Sequence, residues 1–165
     1  MATAAAKLTV AEFESQYGQE KPYYEYWYGE AIPKSMPNTV HGLLQIIVAA
    51  LLRQNGYRAG SEVKLKIDPS FHPVPDLIAD RTAIGAPYPT KALEIVVEIL
   101  SEDDPHSRVM TKLHAYESWG FQHIYLVDPA TRTLSRWHDH RLEEVNDLAA
   151  IPAERIWSAL DQELS

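Results

Sequence analysis

The sequence predicts an α/β fold in which helices flank a β-sheet, and three patterns support that prediction. Residues 93–100 form a nearly continuous, largely β-branched apolar run, which is typical of a central strand covered on both faces. Residues 40–52 place apolar side chains at three- and four-residue steps, which indicates a helix. Further strand patterns lie before and after these two segments. Helices and strands arranged around a buried strand predict an α/β sandwich in a single domain.

The first predicted elements are a short helix and an aromatic strand. Thr9 with Glu12 three residues later is a capping-box pattern, so a helix begins there, and Gly18 ends it. We assign residues 1–20 to an N-terminal helical extension and residues 21–165 to the main domain. The aromatic run that follows favours a strand in which three tyrosines share one face: Tyr24, Tyr26 and Tyr28.

The helix over residues 40–52 has clear start and stop signals. Asn38 or Thr39 would cap its beginning, and Asn55 with Gly56 ends it. The segments that follow read as a strand with one wet face at residues 57–68, a turn region at 69–75, a strand at 74–80 and a loop at 81–91.

A second helix follows the central strand. Pro105 suits its first position, and the helix runs to Trp119 and ends at Gly120. The remaining segments read as a strand at residues 121–127, a turn at Asp128 and Pro129, a strand at 134–137 and a short helix at 152–160.

Three charged residues do not suit a purely apolar interior. Glu98 lies inside the central strand, where an ionised carboxylate needs a cationic or hydrogen-bonding partner. A helical projection places Lys112 between Tyr116 and Trp119, on the face that packs against the sheet. Asp76 lies on the preceding strand. The two carboxylates therefore meet if their strands are neighbours and their faces agree.

Two carboxylates and a lysine at the ends of adjacent elements can form a magnesium site for phosphodiester hydrolysis, because hard cations prefer carboxylate oxygens. The cation would polarise the phosphoryl oxygen and activate a water, and the lysine would orient that water or stabilise the transition state. Each residue also has an ordinary structural interpretation. Asp76 suits a turn or a strand start, Glu98 a salt bridge, and Lys112 a side chain whose head reaches solvent.

Composition excludes several other classes of protein. The chain has no cysteine, which excludes disulfides, thiolate zinc sites and a cysteine nucleophile. No apolar run is long enough to span a membrane, and the alanine-rich start is too short for a signal peptide, so we expect a cytoplasmic protein. The net charge of −8 argues against a general DNA-coating role. Phosphate-loop, serine-hydrolase and zincin motifs do not occur.

The order of these segments resembles a known family. Val74-Pro-Asp-Leu-Ile-Ala-Asp, Glu94-Ile-Val-Val-Glu-Ile-Leu, Lys112-Leu-His-Ala-Tyr-Glu-Ser-Trp-Gly-Phe and Tyr125-Leu-Val-Asp-Pro resemble the Uma-type family of restriction-endonuclease-like proteins, within the PD-(D/E)xK nuclease superfamily. The resemblance covers residues 8–137 and implies a restriction-endonuclease-like core with a mixed sheet. It implies that Asp76 and Glu98 hold magnesium, for which manganese can substitute, and that Lys112 completes the catalytic set.

The chain departs from the superfamily motif at one position and from a common pattern of the family at another. Leu100 stands where the motif lysine usually lies, and Lys112 on the next helix matches the place from which Uma-type proteins supply it. Arg108 stands where many members have an aspartate. The resemblance also implies that Glu30 and His41 edge the site, although a histidine at a helix edge is also an ordinary packed or capping residue.

Two functions remain open from the sequence. The first is a magnesium-dependent endonuclease that acts on nucleic acid, with DNA the favoured substrate, as a homodimer without membrane contact. The second is a catalytically silent member of the same fold that serves as a dimeric partner-binding module, with Glu98 and Lys112 as a buried ion pair. Two other charged clusters are interpreted as solvated: the turn His138-Asp139-His140 and the helix lead-in Glu102-Asp103-Asp104.

Overall fold

The computed structural model describes residues 6–19 and 23–165, and these residues form four helices and eleven strands. The helices are α1 (Val10–Tyr17), α2 (Thr39–Gln54), α3 (His106–Trp119) and α4 (Ala153–Leu164). The strands are β1 (Tyr24–Trp27), β2 (Glu30–Pro33), β3 (Arg58–Ser61), β4 (Phe71–His72), β5 (Leu77–Asp80), β6 (Ile95–Ile99), β7 (His123–Asp128), β8 (Thr133–His138), β9 (Arg141–Val145), β10 (Asp147–Leu148) and β11 (Ile151–Pro152).

The main sheet has six strands in the order β3-β5-β6-β7-β8-β9. Neighbouring strands are antiparallel except for β6 and β7, which are parallel and are connected through α3. A parallel pair needs such a crossover, and a helix is the usual one. The predicted mixed α/β fold, a sheet flanked by helices in one domain, is confirmed.

The central strand is buried on both faces, as its sequence predicted. All five residues of β6 are buried. Ile95, Val97 and Ile99 pack with α2 and α4 on one side, whereas Val96 packs with Leu113 of α3 on the other. Glu98 shares the face of Val96 because side chains alternate along a strand. This alternation directs the carboxylate of Glu98 toward α3.

A smaller sheet in the order β2-β1-β4 lies beside α1. The Thr9 side chain accepts a hydrogen bond from the Glu12 backbone N–H, and the Glu12 side chain accepts one from the Thr9 N–H, so the predicted capping box is confirmed. Phe13 is buried, with its ring centre 5.5 Å from that of Tyr26 on β1. The first helix therefore packs against this sheet.

Three expectations for residues 24–75 were wrong. The predicted strand at residues 57–68 ends at Ser61, because Glu62 adopts a left-handed conformation with φ of 56° that turns the chain. The turn region at 69–75 contains the short strand β4, which pairs with β1. Tyr28 has φ of 49° and lies in the turn after β1, so it does not share a strand face with Tyr24 and Tyr26.

The C-terminal part differs from expectation in extent. Pro105 is the N-cap of α3 and not its first helical residue, and Gly120 ends the helix in a left-handed conformation as predicted. The final helix is longer than predicted, and strands β9, β10 and β11 were not predicted. The boundary between the proposed extension and the domain lies outside the described residues, as do residues 1–5 of the alanine-rich start. Within the described residues, no helix has the length and apolarity needed to cross a membrane.

Candidate active site

A cavity of about 640 Å³ lies between α3, the start of α2 and the ends of the central strands. Charged and polar side chains from separate parts of the chain meet at its base. They are Glu25 of β1, Lys34 after β2, His41 and Gln45 of α2, Glu62 after β3, Asp76 before β5, Glu98 of β6 and Lys112 of α3.

The two predicted carboxylates come from neighbouring strands. β5 and β6 pair with Leu77 opposite Val97, and continuing this register sets Asp76 opposite Glu98. Asp76 Oδ2 accepts a hydrogen bond from the backbone N–H of Ile99 at 2.7 Å, which fixes the carboxylate at the end of β6. The sheet thus holds Asp76 and Glu98 side by side at the base of the cavity.

Lys112 bridges two buried carboxylates. Its Nζ lies 2.7 Å from Glu98 Oε1 and 2.8 Å from Glu25 Oε1. Glu25 Oε1 also accepts the backbone N–H of Val74 at 2.6 Å, and the Tyr116 hydroxyl donates to Glu98 Oε1 at 2.5 Å. We call Lys112, Glu25, Glu98 and Tyr116 the Lys112 group. Both carboxylates are held by donors from several elements.

Lys34 makes a second bridge of the same kind. Its Nζ lies 3.1 Å from Asp76 Oδ1 and 2.9 Å from Glu62 Oε2. Gln45 Nε2 donates to Glu62 Oε1 at 3.1 Å, and His41 Nε2 lies 3.4 Å from Asp76 Oδ2. We call Lys34, Asp76, Glu62, Gln45 and His41 the Lys34 group.

The Val74 carbonyl joins the two groups, because it accepts a hydrogen bond from Lys34 Nζ at 2.7 Å and one from Lys112 Nζ at 3.5 Å. Four carboxylates and two ammonium groups therefore occupy one site, with His41 in contact with one of the carboxylates. With all four carboxylates ionised and His41 neutral, the base of the cavity carries an excess of negative charge, and protonation of Glu98 or His41 reduces it.

Burial and neighbouring charges shift the pKa values of Asp76 and Glu98 in opposite directions. Burial raises the pKa of Glu98 to about 7, and the carboxylates of Asp76 and Glu25 act in the same direction against the opposing Lys112. Burial would also raise the pKa of Asp76, but Lys34, His41 and Lys112 outweigh it and hold that pKa well below its usual range. Asp76 is therefore firmly ionised, whereas Glu98 exchanges its proton near neutral pH.

The same carboxylates also shift the pKa values of the neighbouring cationic groups and of Tyr116. Burial opposes the charge of Lys112, but Glu25, Glu98 and Asp76 prevail and raise its pKa. Burial likewise opposes the charge of Lys34 and His41, and Asp76 is the main reason that the pKa of each is raised nevertheless. Burial and the nearby Glu98 raise the pKa of Tyr116, so its hydroxyl remains a hydrogen-bond donor.

The structure brings together most of the residues that the sequence singled out. Asp76, Glu98 and Lys112 meet at the cavity, and His41 contacts Asp76. Glu30 does not join them: it is exposed, opposite Trp27 where β1 and β2 are connected, and does not line the cavity.

Sequence reasoning missed the other polar members of the site: Glu25, Lys34, Gln45, Glu62 and Tyr116. Gln45 had a partial signal, since a residue four positions after His41 lies on the same side of a helix. Glu25 had none, because a charged residue between Tyr24 and Tyr26 reads as the wet side of a strand.

The donors of this site suit a hard divalent cation, because carboxylate oxygens are the ligands that magnesium prefers. The excess negative charge favours a cation as well. In the structure, the lysine ammonium groups lie between the carboxylates. Within the described residues, no three of these acids have ligand atoms that all lie within 4.8 Å of one another. A cation at Asp76 and Glu98 would therefore replace some of the lysine contacts.

Comparison with known proteins gives a family match and a close structural likeness. The model of the Uma2 family, described as "Putative restriction endonuclease", matches residues 10–160. The crystal structure of a putative nuclease belonging to DUF820 from Anabaena variabilis ATCC 29413 superposes with a TM-score of 0.76 at 22% identity, over 93% of this chain and 99% of that chain. That likeness concerns the fold.

A cryo-EM structure of a DrdV–DNA complex is more distant. It gives a TM-score of 0.42 at 16% identity over 71% of this chain and 10% of that chain. A search of curated proteins found no match.

Proposed function

Because the chain belongs to the Uma2 family, we propose that it is a divalent-metal-dependent endonuclease that hydrolyses phosphodiester bonds of nucleic acid, with DNA as the favoured substrate. Asp76 and Glu98 would hold magnesium, and Lys112 would act on the reacting groups. The homodimer and the cytoplasmic location expected from the sequence stay predictions.

One observation carries this proposal: four carboxylates face two ammonium groups at the base of an open cavity. Buried charges are normally paired, and an unbalanced set is costly to keep. A bound divalent cation balances such an excess and reverses the local field, which lets a polyanionic substrate approach an acidic site.

The chain's own residues have separate tasks around that cation. When bound, magnesium supplies Lewis-acid polarisation of a phosphoryl oxygen and makes a nearby water more acidic. Ile99 and His41 orient Asp76. Glu25 and Glu98 hold the Lys112 ammonium in place, where it can stabilise the negative charge that builds on the phosphate in the transition state.

A cleavage assay with paired variants tests the proposal. The untagged protein is incubated with single- and double-stranded DNA and with RNA, in magnesium, in manganese and in EDTA, beside Glu98→Gln, Lys112→Ala and Glu94→Gln. Glu94 is a matched control, because it lies one residue before β6 and pairs with exposed Arg81 outside the cavity. Magnesium titrations by calorimetry on the same proteins measure binding separately from cleavage.

We expect metal-dependent cleavage by the wild type and by Glu94→Gln. Glu98→Gln should lose magnesium binding, and Lys112→Ala should lose roughly 100-fold or more in rate. Equal cleavage by all four proteins would indicate a contaminant and remove support for the proposal. Magnesium binding that is unchanged in Glu98→Gln would contradict the assigned metal site.

The silent module remains a second candidate, and one observation favours it. Both oxygens of Asp76 already have protein partners, and Glu98 Oε1 contacts both Lys112 and Tyr116. If the protein is such a silent module, the site is a network of structural ion pairs. Absence of both magnesium binding and cleavage in the wild type would favour this function over the nuclease.

A further inference from the structure

A histidine-rich cluster lies on the opposite side of α3 from the cavity. His114 follows Lys112 by two residues, about 200° around the helix, so the two side chains point to different sides. Glu117 is three residues beyond His114 and shares its face. His140 comes from the turn between β8 and β9 and lies against them, with its Nδ1 3.2 Å from Glu117 Oε2.

The three side chains form a compact set of possible metal ligands. Their ligand atoms all lie within 4.8 Å of one another, and within residues 6–19 and 23–165 no other group of three His, Asp or Glu side chains does so. The rings of His114 and His140 are stacked, with centres 5.6 Å apart and planes at 24°. Two helix residues and one turn residue therefore converge without any rearrangement of the backbone.

These distances agree with coordination of one ion. Two ligand atoms on a tetrahedral zinc lie about 3.3 Å apart, and two imidazoles on one zinc have ring centres about 5 Å apart. The 3.2 Å separation of His140 from Glu117 and the 5.6 Å separation of the rings are close to both values. Small side-chain rotations would complete the set.

A neighbouring tryptophan supports the carboxylate ligand. Trp137 Nε1 donates to Glu117 Oε2 at 2.5 Å, and its ring meets the His114 ring edge-on, with centres 4.6 Å apart. Trp137 is itself buried in the core beneath α3. Partners of this kind fix the direction of a metal ligand and are part of a built metal site.

We propose that His114, Glu117 and His140 bind a divalent transition-metal ion, with zinc as the representative. Two imidazole nitrogens and one carboxylate suit zinc and its neighbours in the transition series, whereas magnesium prefers oxygen ligands alone. The remaining coordination positions face solvent and are filled by water. The ion ties α3 to the β8–β9 turn, and the site is separate from the proposed nuclease centre.

Zinc titration of the full chain tests the site. The protein carries no polyhistidine tag, is stripped with a chelator and is titrated with ZnCl₂ by calorimetry in excess magnesium. CoCl₂ is titrated in parallel, because the visible absorption of cobalt reports its coordination. We expect one zinc site in the wild type and a loss of at least about tenfold in affinity in His140→Gly. His138→Ala is the matched control, since His138 is exposed beside the same turn and pairs with Asp139.

The choice of glycine separates metal binding from folding. His140 has φ of 60°, a left-handed conformation that glycine adopts without strain. Without zinc, His140→Gly should therefore melt no lower than the wild type. Zinc at a hundredfold excess over its dissociation constant should raise the wild-type Tm by roughly 5–10 °C, and it should not raise that of His140→Gly.

Two results would overturn the site. Zinc that binds the wild type and His140→Gly equally well, or that leaves the wild-type Tm unchanged, shows that these residues do not hold the ion. Loss of zinc binding in Asp76→Asn places the ion in the cavity instead. Zinc binding that persists in Asp76→Asn supports the proposal whether or not the protein cleaves nucleic acid.

Discussion

The two lysines of the cavity make the same contacts in different surroundings. Each ammonium bridges two carboxylates, and each donates to the Val74 carbonyl. The partners of Lys112 are nearly dry, with Glu25 5% and Glu98 11% exposed. In the Lys34 group, Asp76 is only 3% exposed but keeps the Ile99 N–H and His41 as further partners, whereas Glu62 is 28% exposed at the edge of the cavity.

This difference shows that similar contact distances do not imply similar energies. An unpaired carboxylate in a dry site cannot be solvated, so removing its cation exposes the full cost of burying the charge. A carboxylate near water regains solvation when its partner is lost, so an exposed ion pair contributes little to the free energy of unfolding. Lys112 should therefore matter more for folding stability than Lys34.

The largest expected effect is that of Lys112→Met. The substitution removes the cation from two buried carboxylates, and we expect the free energy of unfolding without metal to fall by about 3–5 kcal/mol. Urea denaturation measures the change. Exposed Lys66 provides the control, since Lys66→Met should change stability by no more than about 0.5 kcal/mol. Equal stability of the two variants would show that the Lys112 group is wetter than its burial indicates.

The next effect is a dependence of stability on pH that arises in the Lys112 group. Burial raises the pKa of Glu98 from 4.5 to about 7, so the folded protein holds this proton more tightly than the unfolded chain. The contribution of Glu98 to stability without metal is therefore fully present below pH 4.5 and is lost as pH rises to 7, by on the order of 3 kcal/mol. The raised pKa of His41 acts in the same direction above pH 6.5. The lowered pKa of Asp76 acts in the opposite direction, but only below about pH 4.

Urea denaturation between pH 4.5 and 7 checks this dependence, with Glu98→Gln as the comparison. The variant carries no ionisable group at this position, so most of the slope should vanish. A slope that is the same in both proteins would assign the titration to another group.

The smallest of the three effects is that of Lys34→Met. Asp76 keeps the Ile99 N–H and the His41 contact, and Glu62 gains water, so we expect a loss of roughly 2 kcal/mol. Urea denaturation at the pH used for Lys112→Met gives the comparison directly. A loss as large as that of Lys112→Met would show that the Ile99 N–H and His41 do not compensate buried Asp76 for the lost ammonium.

Site residues that contradict their local sequence pattern could be identified from the sequence. Glu98 interrupts an apolar strand, and Lys112 falls on the packed face of a helix, so each was visible from periodicity alone. Asp76 was singled out by its place on the preceding strand, and the family resemblance added its metal-binding role and the residues Glu30 and His41 at the edge of the site. Helices α2 and α3 and the central strand β6 were predicted for the same reason, since a long periodic segment identifies its own secondary structure.

Residues that agree with their local pattern could not be found in this way. Glu25 reads as the wet face of a strand, and its burial depends on a small sheet whose pairing is non-local. Glu62 reads as part of a strand, but its left-handed backbone conformation turns the side chain into the cavity. His140 was interpreted as part of a solvated turn. The turn is confirmed, but its proximity to α3 follows from the packing of β8 against that helix.

The shared acceptor at Val74 has a consequence for the order of folding. Its carbonyl meets Lys34 across 40 residues of chain and Lys112 across 38. Contacts this distant in sequence form only after long loops have closed. A chain that lacks either end of these contacts therefore carries the charges of the site without the arrangement they have at the cavity.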